Sequence, residues 1–349
     1  ANWKFGESTA VSFGVMDNIT FDASSDVRAV TVDEGLDIGN MHVNAGDYTF
    51  SGAGLHVLSS FHVAEGASAT LNTMPTSLGS ATVDGTLNLA FTGTWTQELN
   101  AANGVVNKTA SGTLNWYAED ELKIGTLNVN AGFLHVYADL KADNINIANS
   151  SNLFLCNDTA ADALQKTIGR VNLSDSAALY VLSGESASNF TTLHEVVVEG
   201  SVRVGDYMYA GLVDIHTLSL AEGASNGTLT IYNSTNQGTD VSVFNLGSES
   251  VECGNFAGKI VLRSGNGTSR GTLILSHADI AANSVVEISS YLLPGNGATY
   301  AQLGLGVHVD RATVAGLSSM EELGTKAKVT SIDDTKTAIY IPSGIQSGE

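Results

Sequence analysis

The chain has 349 residues, with 36 acidic and 15 basic side chains and a formal net charge of -21. A charge of this sign repels nucleic acid and anionic membrane surfaces, so neither is expected as a partner. No run of about 18 apolar residues occurs, which predicts that this segment does not insert into a membrane.

A repeated pattern of short strands runs along most of the chain. Its unit reads apolar-x-x-apolar-x-apolar-x-x-Gly and is followed by a second alternating segment. Alternation of apolar and polar residues is typical of strands, because successive side chains of a strand point to opposite faces. The copies and near copies of this unit start at Ile38, Leu58, Leu78, Ile124, Ile168, Leu193, Ile215 and Ala257. In the copy that starts at Ile168, Ser176 takes the place of the glycine.

The spacing of these copies predicts how the strands are arranged. Starts at positions 38, 58 and 78 lie 20 residues apart, and starts at 168, 193 and 215 lie 25 and 22 apart. A period in this range is typical of a solenoid in which each repeat is one coil. The predicted fold is therefore all-β, a parallel β-helix (solenoid) with short loop insertions. We expect a single elongated domain over residues 1–342 and a frayed tail over 343–349.

The stretch from Leu122 to Tyr137 shows one unit clearly, since it contains two alternating segments about an Asn-Ala-Gly turn. The period predicts that these two segments pair with neighbouring coils rather than with each other. Asparagines at turns, namely Asn44, Asn130 and Asn149, are expected to tolerate left-handed backbone and to bond their stacked equivalents.

Two breaks in the pattern are predicted to be short helices on loops, at Asp158–Ile168 and at Ser318–Leu323. The chain has two cysteines, Cys156 and Cys253, which are 97 positions apart. They are expected to be buried thiols rather than a disulfide pair, because one distant bridge is no disulfide framework.

A resemblance to a known repeat is carried by the stretch from Phe256 to Leu275. It contains Phe256, Gly258, Ile260, Leu262, Gly265 and then Gly271, Thr272, Leu273 and Leu275. This arrangement resembles the autotransporter-associated β-strand repeat of bacterial passenger domains. The resemblance implies a right-handed parallel β-helix that is displayed on a Gram-negative-type cell surface or shed from it. The family includes adhesins, self-associating proteins and enzymes, and its translocator barrel is not recognisable here.

Residues that could carry chemistry are scattered. Most of the eight histidines alternate with apolar residues and are expected to face outward, among them His42 and His62, which are 20 residues apart and should be neighbours. Two imidazoles without a third ligand make a weak metal site. The acidic residues Asp33, Glu34, Asp37, Asp333 and Asp334 are interpreted as solvated turns rather than a calcium site. We therefore predict no catalytic residue, no metal site and no cofactor.

The candidate binding residues are Tyr117 and Tyr137. Tyr117 follows inward Leu114 and Trp116, and Tyr137 follows a similar inward pair, so both rings should face outward in register, 20 residues apart. Stacked tyrosines could contact the sugar rings of a glycan or a partner protein. The alternative is a cross-coil pair that only stabilises the sheet.

These observations favour a surface-displayed or secreted bacterial β-helix passenger that acts as an adhesin or structural stalk without catalysis. Its expected location is extracellular or on the outer-membrane surface, and its expected partner is a host or bacterial surface glycan or protein. A carbohydrate-active enzyme, a polysaccharide lyase or hydrolase on the same scaffold, is the alternative. A phage tail fibre is a third hypothesis.

Overall fold

The structure is a computed structural model, and every regular element in its described residues is a β-strand. No helix in that part of the chain is long and apolar enough to cross a membrane. The described residues are 3–5, 9–11, 16–24, 26–32, 34–156, 164–181, 190–204, 212–232, 241–246, 253–256, 258–264, 270–275, 278–280, 285–290, 303–304 and 330–331.

The chain divides into two compact units, unit 1 (Ala1–Ile145) and unit 2 (Asn146–Glu349). The strands of unit 1 are β1 (Trp3–Phe5), β2 (Thr9–Val11), β3 (Asp17–Phe21), β4 (Ala29–Val32), β5 (Asp37–Val43), β6 (Asp47–Gly52), β7 (His56–Val63), β8 (Ser68–Leu71), β9 (Ser80–Val83), β10 (Thr86–Leu89), β11 (Gly93–Thr96), β12 (Leu99–Lys108), β13 (Thr113–Tyr117), β14 (Leu122–Val129) and β15 (Phe133–Tyr137). Strand β16 (Leu140–Ile147) contains the boundary between the units.

The strands of unit 2 are β17 (Asn152–Leu155), β18 (Lys166–Leu173), β19 (Ala178–Val181), β20 (Phe190–Val198), β21 (Gly200–Val204), β22 (Leu212–Leu220), β23 (Gly227–Tyr232), β24 (Val241–Leu246), β25 (Cys253–Phe256), β26 (Lys259–Ser264), β27 (Arg270–Leu275), β28 (Ala278–Ile280), β29 (Val285–Ser290), β30 (Leu303–Gly304) and β31 (Thr330–Ser331).

Strands of unit 1 pair with the equivalent strands one coil away. Strands β3, β5, β7 and β9 form one parallel ladder, and β4, β6, β8 and β10 form a second. The long strand β12 continues both ladders, since its beginning pairs with β9 and its end with β10. A third ladder consists of β11, β13 and β15. The short hairpin of β1 and β2 is antiparallel.

Unit 2 repeats this arrangement with longer coils. One parallel ladder runs through β18, β20, β22, β24, β27 and β30, and the other joins β17, β19 and β21 to β23, β26, β29 and β31. Strands β25 and β28 form a separate parallel pair. Each unit is thus a stack of coils whose hydrogen bonds run from coil to coil, which defines a parallel β-solenoid.

The predicted all-β parallel β-helix is confirmed. The stretch that contains β14 and β15 also pairs as expected, because β14 bonds to β12 and β15 bonds to β13, and the two strands lie in different ladders. A single domain over residues 1–342 stays a prediction.

Among the described residues, most inward positions of the repeat form the core, and the exceptions include the exposed Leu58 and the half-buried Leu220. Apolar residues at the predicted inward positions are buried, as Ile124, Leu127 and Val129 show in β14. Leu58 was expected to face inward, but its side chain is 40% exposed. Val57 is fully buried in its place, since Val57 pairs with Ile38 and the register shifts beyond that pair. The prediction for Leu58 is wrong because this irregularity moves the inward position by one residue.

The glycine turns of four copies of the repeat adopt left-handed backbone. Gly46, Gly66, Gly132 and Gly223 have φ of 85°, 76°, 65° and 80°, and Ser176 takes the same conformation with φ of 62°. The turn asparagines Asn44, Asn130 and Asn149 do not adopt this conformation. Ser150, rather than Asn149, has positive φ, at 61°. In each of these turns the glycine or serine is the residue with positive φ, so the neighbouring asparagine keeps ordinary backbone.

Asparagine stacking occurs on strands rather than at turns. Nδ2 of Asn107 donates to Oδ1 of Asn88 at 2.7 Å, and Nδ2 of Asn128 donates to Oδ1 of Asn107 at 2.6 Å. Asn88 itself donates to the hydroxyls of Ser68 and Thr70 at 3.2 and 2.9 Å. In unit 2, Asn172 donates to Asn146 in the same way, at 2.6 Å. These amides form a ladder that ties successive coils together.

The prediction of a helix at Asp158–Ile168 is wrong for its last three residues. Residues 166–168 of the proposed helix Asp158–Ile168 lie in strand β18, because Lys166 and Ile168 face inward and continue the ladder to β20. Residues 158–163, the proposed helix Ser318–Leu323 and the tail 343–349 lie outside the described residues. Cys156 is buried, as expected. The side chain of Cys253 is not described.

Candidate functional site

The two tyrosines singled out from the sequence form a stacked pair on the outer face of unit 1. Tyr117 pairs in register with Tyr137 across β13 and β15. Their ring centroids are 4.3 Å apart and their planes differ by 3°. The preceding residues Trp116 and Val136 are fully buried, so the alternation of each strand directs the tyrosines outward.

The stacking geometry determines which part of each ring a ligand could reach. Since the rings lie parallel on adjacent strands, each covers one face of the other. The second face of Tyr117 is turned toward the coil of β11, where its partner in register is the exposed, short Thr96. The short side chain of Thr96 lies next to the larger ring of Tyr117, which leaves a step in the surface. We call this step, defined by Thr96 and the ring of Tyr117, the Tyr117 ledge.

Strand β15 extends the aromatic surface along the same face. Phe133, at the start of the strand, is 42% exposed. His135 lies between Phe133 and Tyr137 in the outward set, and its ring centroid is 6.3 Å from that of Tyr137. Burial lowers the pKa of His135, because the surrounding side chains remove water from the imidazole. The neutral imidazole therefore adds to a largely uncharged surface.

A second stacked pair was missed by the sequence reasoning. Phe154 and Tyr180 pair in register across β17 and β19 of unit 2, with ring centroids 4.3 Å apart and planes 13° from parallel. Their separation of 26 residues differs from the 20 of the first pair. The signal was available in the alternation, because Leu153 and Leu179 immediately precede them and are fully buried.

A buried lysine is the least expected residue of unit 1. Lys108 is fully buried and pairs with Leu89 in one neighbouring coil and Val129 in the other, so it occupies an inward apolar position. Its Nζ donates to the carbonyl oxygens of Ala110 and of two further residues, Gly112 at 2.5 Å and Ala131 at 2.6 Å. Burial lowers the pKa of Lys108 to about 8. The sequence reasoning did not single it out, and the available signal was its alternation with the buried Val106.

The predicted neighbours His42 and His62 do meet. They pair in register across β5 and β7, and their ring centroids are 5.9 Å apart at an interplanar angle of 72°. Nε2 of His62 also lies 3.1 Å from Oδ2 of Asp84. Hydrogen bonds from His62 and Asn103 lower the pKa of Asp84. One ring nitrogen of His62 is therefore engaged by a carboxylate rather than directed toward His42.

The acidic candidates for calcium do not converge. Asp37 accepts a hydrogen bond from Nδ1 of His56 at 2.6 Å, and Glu34 is exposed in a turn. Asp33, Asp333 and Asp334 lie outside the described residues. Within the described part of the chain, no group of three or more His, Cys, Asp or Glu side chains could hold a metal ion.

A closer histidine pair, which the sequence reasoning did not single out, lies in unit 2. His194 in β20 and His216 in β22 have Nδ1 atoms 3.0 Å apart. Their spacing of 22 residues equals the local coil length, since Leu193 pairs with Ile215. That spacing was the available signal.

The geometry defines a β-solenoid protein with an outward aromatic surface. No family model, no curated protein and no solved structure matches this chain. The resemblance to autotransporter passengers is therefore carried by the sequence motif alone.

Proposed function

We propose that the chain is a surface-displayed or secreted bacterial β-helix passenger that acts as an adhesin, and that it contacts a surface glycan at the Tyr117–Tyr137 stack. The observation that carries this proposal is the outward, parallel pair of rings on a strand face that also carries exposed Phe133. Aromatic rings combine a large apolar face with, in tyrosine, a hydroxyl that bonds polar ligands. The resemblance to passenger repeats supports the proposed location.

The Tyr117 ledge suits a sugar ring better than the centre of the stack does. A pyranose binds an aromatic side chain by laying its C–H groups on the ring face, and the facing surfaces of Tyr117 and Tyr137 already cover each other. The remaining face of Tyr117 lies above Thr96, whose exposed hydroxyl can bond a sugar hydroxyl. The net charge of -21 favours neutral or basic glycans over polyanionic ones.

The scaffold provides the rigidity that such a contact needs. Strands β13 and β15 are paired over five residues in register, and Leu114, Trp116, Leu134 and Val136 anchor them in the core with no exposed surface. A ring held on a rigid strand loses little conformational freedom when a ligand binds, which leaves more of the contact energy for affinity.

A glycan array with the full chain tests the proposal. The double variant Tyr117→Ser/Tyr137→Ser should lose binding to every glycan that the natural protein captures, while Tyr117→Phe/Tyr137→Phe should keep part of it by retaining the rings. Thermal melting should change little, because the pair contributes about 0.5–1.5 kcal/mol. The matched control is Phe154→Ser/Tyr180→Ser, which removes an equally stacked pair in unit 2 and should leave binding intact. Unchanged binding by the Tyr117→Ser/Tyr137→Ser protein, or no captured glycan at all, would overturn the proposal.

A further inference from the structure

The His194–His216 pair lies on the outer side of two adjacent coils in unit 2. Leu193 pairs with Ile215 and Glu195 with Thr217, so the two histidines are opposite each other in the ladder. Leu193 and Ile215 are fully buried, which anchors both strands beside the pair. The imidazole centroids are 4.7 Å apart, with planes at 76°.

The distance between the two Nδ1 atoms is close to the distance between two nitrogen ligands of one metal ion. They are 3.0 Å apart, so one imidazole donates a hydrogen and the other accepts it. Two nitrogen ligands at about 2.0–2.1 Å from a tetrahedral zinc ion are about 3.3 Å from each other. For both Nδ1 atoms to bind an ion, the donor imidazole would carry its hydrogen on Nε2 instead of Nδ1, and either ring would rotate to separate the nitrogens by a few tenths of an ångström.

The surroundings leave room for further ligands on one side. In the preceding coil, Ile168 pairs with Leu193 and Arg170 with Glu195, so the position that faces His194 is Gly169, which has no side chain. Glu195 is held elsewhere, because one oxygen is 3.3 Å from Nη1 of Arg170 and the other accepts from the hydroxyl of Ser219 at 3.3 Å. On the side of the preceding coil, water or an external group could therefore approach the two imidazoles.

We propose that His194 and His216 form a binding site for a divalent first-row transition metal ion such as Zn²⁺, Ni²⁺ or Cu²⁺. Imidazole nitrogen suits these ions, whereas Ca²⁺ and Mg²⁺ prefer oxygen ligands. This proposal is independent of the adhesive function, since it concerns other residues in the other unit. The site is open, because the two histidines supply only part of the coordination shell.

The chain offers a matched control in His42 and His62. These two also lie in adjacent coils, but their ring centroids are 5.9 Å apart and Nε2 of His62 is bonded to Asp84. Both pairs consist of two histidines in adjacent coils. Of these two pairs, only the pair in unit 2 brings two ring nitrogens within hydrogen-bond distance of each other.

Isothermal titration calorimetry of the full chain with Zn²⁺, at pH 7.5 in a buffer that does not chelate metal, tests the site. The double variant His194→Ala/His216→Ala should weaken the tightest binding event at least tenfold, and His42→Ala/His62→Ala should leave it unchanged. Titration with Ca²⁺ should give no heat that depends on His194 and His216.

Circular dichroism and thermal melting check that each variant is folded, and His194→Gln/His216→Gln replaces the alanine variant if that one is not. Identical zinc isotherms for the natural protein and a folded variant at positions 194 and 216 would overturn the proposal. Loss of the tightest event in His42→Ala/His62→Ala alone would also overturn it.

Discussion

Nζ of Lys108 lies 2.6 Å from the carbonyl oxygen of Ala131 in the next coil of unit 1. Its other two bonds go to the carbonyls of Ala110 and Gly112 in its own turn. The three hydrogens of an ammonium group match these three acceptors, whereas a neutral amine has only two to donate. Lys108 therefore joins two neighbouring turns from inside the core, at a position where adjacent coils carry leucine and valine.

Replacement of Lys108 by methionine should destabilise the protein. The apolar side chain fills a similar volume, but it leaves three carbonyl groups without their donor, and each such loss costs about 1–3 kcal/mol when the group is buried. Because methionine also removes the cost of burying a charge, part of this loss is offset, and we expect the free energy of unfolding to fall by about 2–4 kcal/mol in urea denaturation. The matched control is Lys141→Met at an exposed position of β16, which should change stability by less than about 0.5 kcal/mol. A Lys108→Met protein as stable as the natural one would contradict the bridging role.

Lys108 should also make stability depend on pH in the alkaline range. Its pKa is lowered from 10.5 to about 8 in the folded protein, so between these values the unfolded chain holds a proton that the folded chain has released. Stability then rises with pH. The difference in unfolding free energy between the natural protein and Lys108→Met should be flat below pH 8. It should increase by about 3 kcal/mol between pH 8 and 10.5, and a flat difference throughout would show that the pKa of Lys108 is not lowered.

Alanine substitutions in two glycine turns should distinguish the cost of left-handed backbone from the cost of a steric clash. Gly66 has φ of 76° and open space where a Cβ would lie, whereas at Gly132, with φ of 65°, a Cβ would be 2.2 Å from the carbonyl oxygen of Ser111. Gly66→Ala should cost only the left-handed strain, about 1–2 kcal/mol. Gly132→Ala must also displace backbone of the neighbouring coil, so we expect a loss at least twice as large. Urea denaturation of both variants measures this, and equal losses would contradict the close approach.

The asparagine ladder should contribute measurable stability. Asn107 donates to Asn88 and accepts from Asn128, so Asn107→Ala removes two hydrogen bonds and should cost about 1–2 kcal/mol. Asn115→Ala, at an outward position of β13 outside the ladder, is the control and should cost less than about 0.5 kcal/mol. The double variant Asn88→Ala/Asn107→Ala should lose less than the sum of the single variants, because they share one bond. Strict additivity in denaturation experiments would contradict a connected ladder.

Much of the fold could be predicted because the repeat is nearly periodic. A constant spacing of 20 residues brought Tyr117 opposite Tyr137, and the parity of Trp116 and Val136 directed both rings outward. The same reasoning failed at Leu58, where a register shift exchanged it with Val57. Parity predicts the face of a residue only while the ladder stays regular, since a shift of one residue turns a side chain to the other face.

Two side-chain pairs could not be predicted from a single repeat period, because the length of the coils varies. The histidine pair of unit 2 is separated by 22 residues and the Phe154–Tyr180 pair by 26, so no single period brings both pairs together. The local register supplies that information. The register depends on turns and insertions of variable length, because these determine which residue of one coil lies opposite which residue of the next.

The sequence by itself determined the strand segments, their inward and outward faces and the coil period, because alternation and glycine turns depend on residues that are close along the chain. Only the tertiary structure decided that Lys108 is buried, and it did so by supplying carbonyl acceptors from two neighbouring turns. It likewise decided that the Nδ1 atoms of His194 and His216 lie within hydrogen-bond distance of each other. Such contacts join residues that are distant in sequence, and their geometry follows from the stacking of coils rather than from any local pattern.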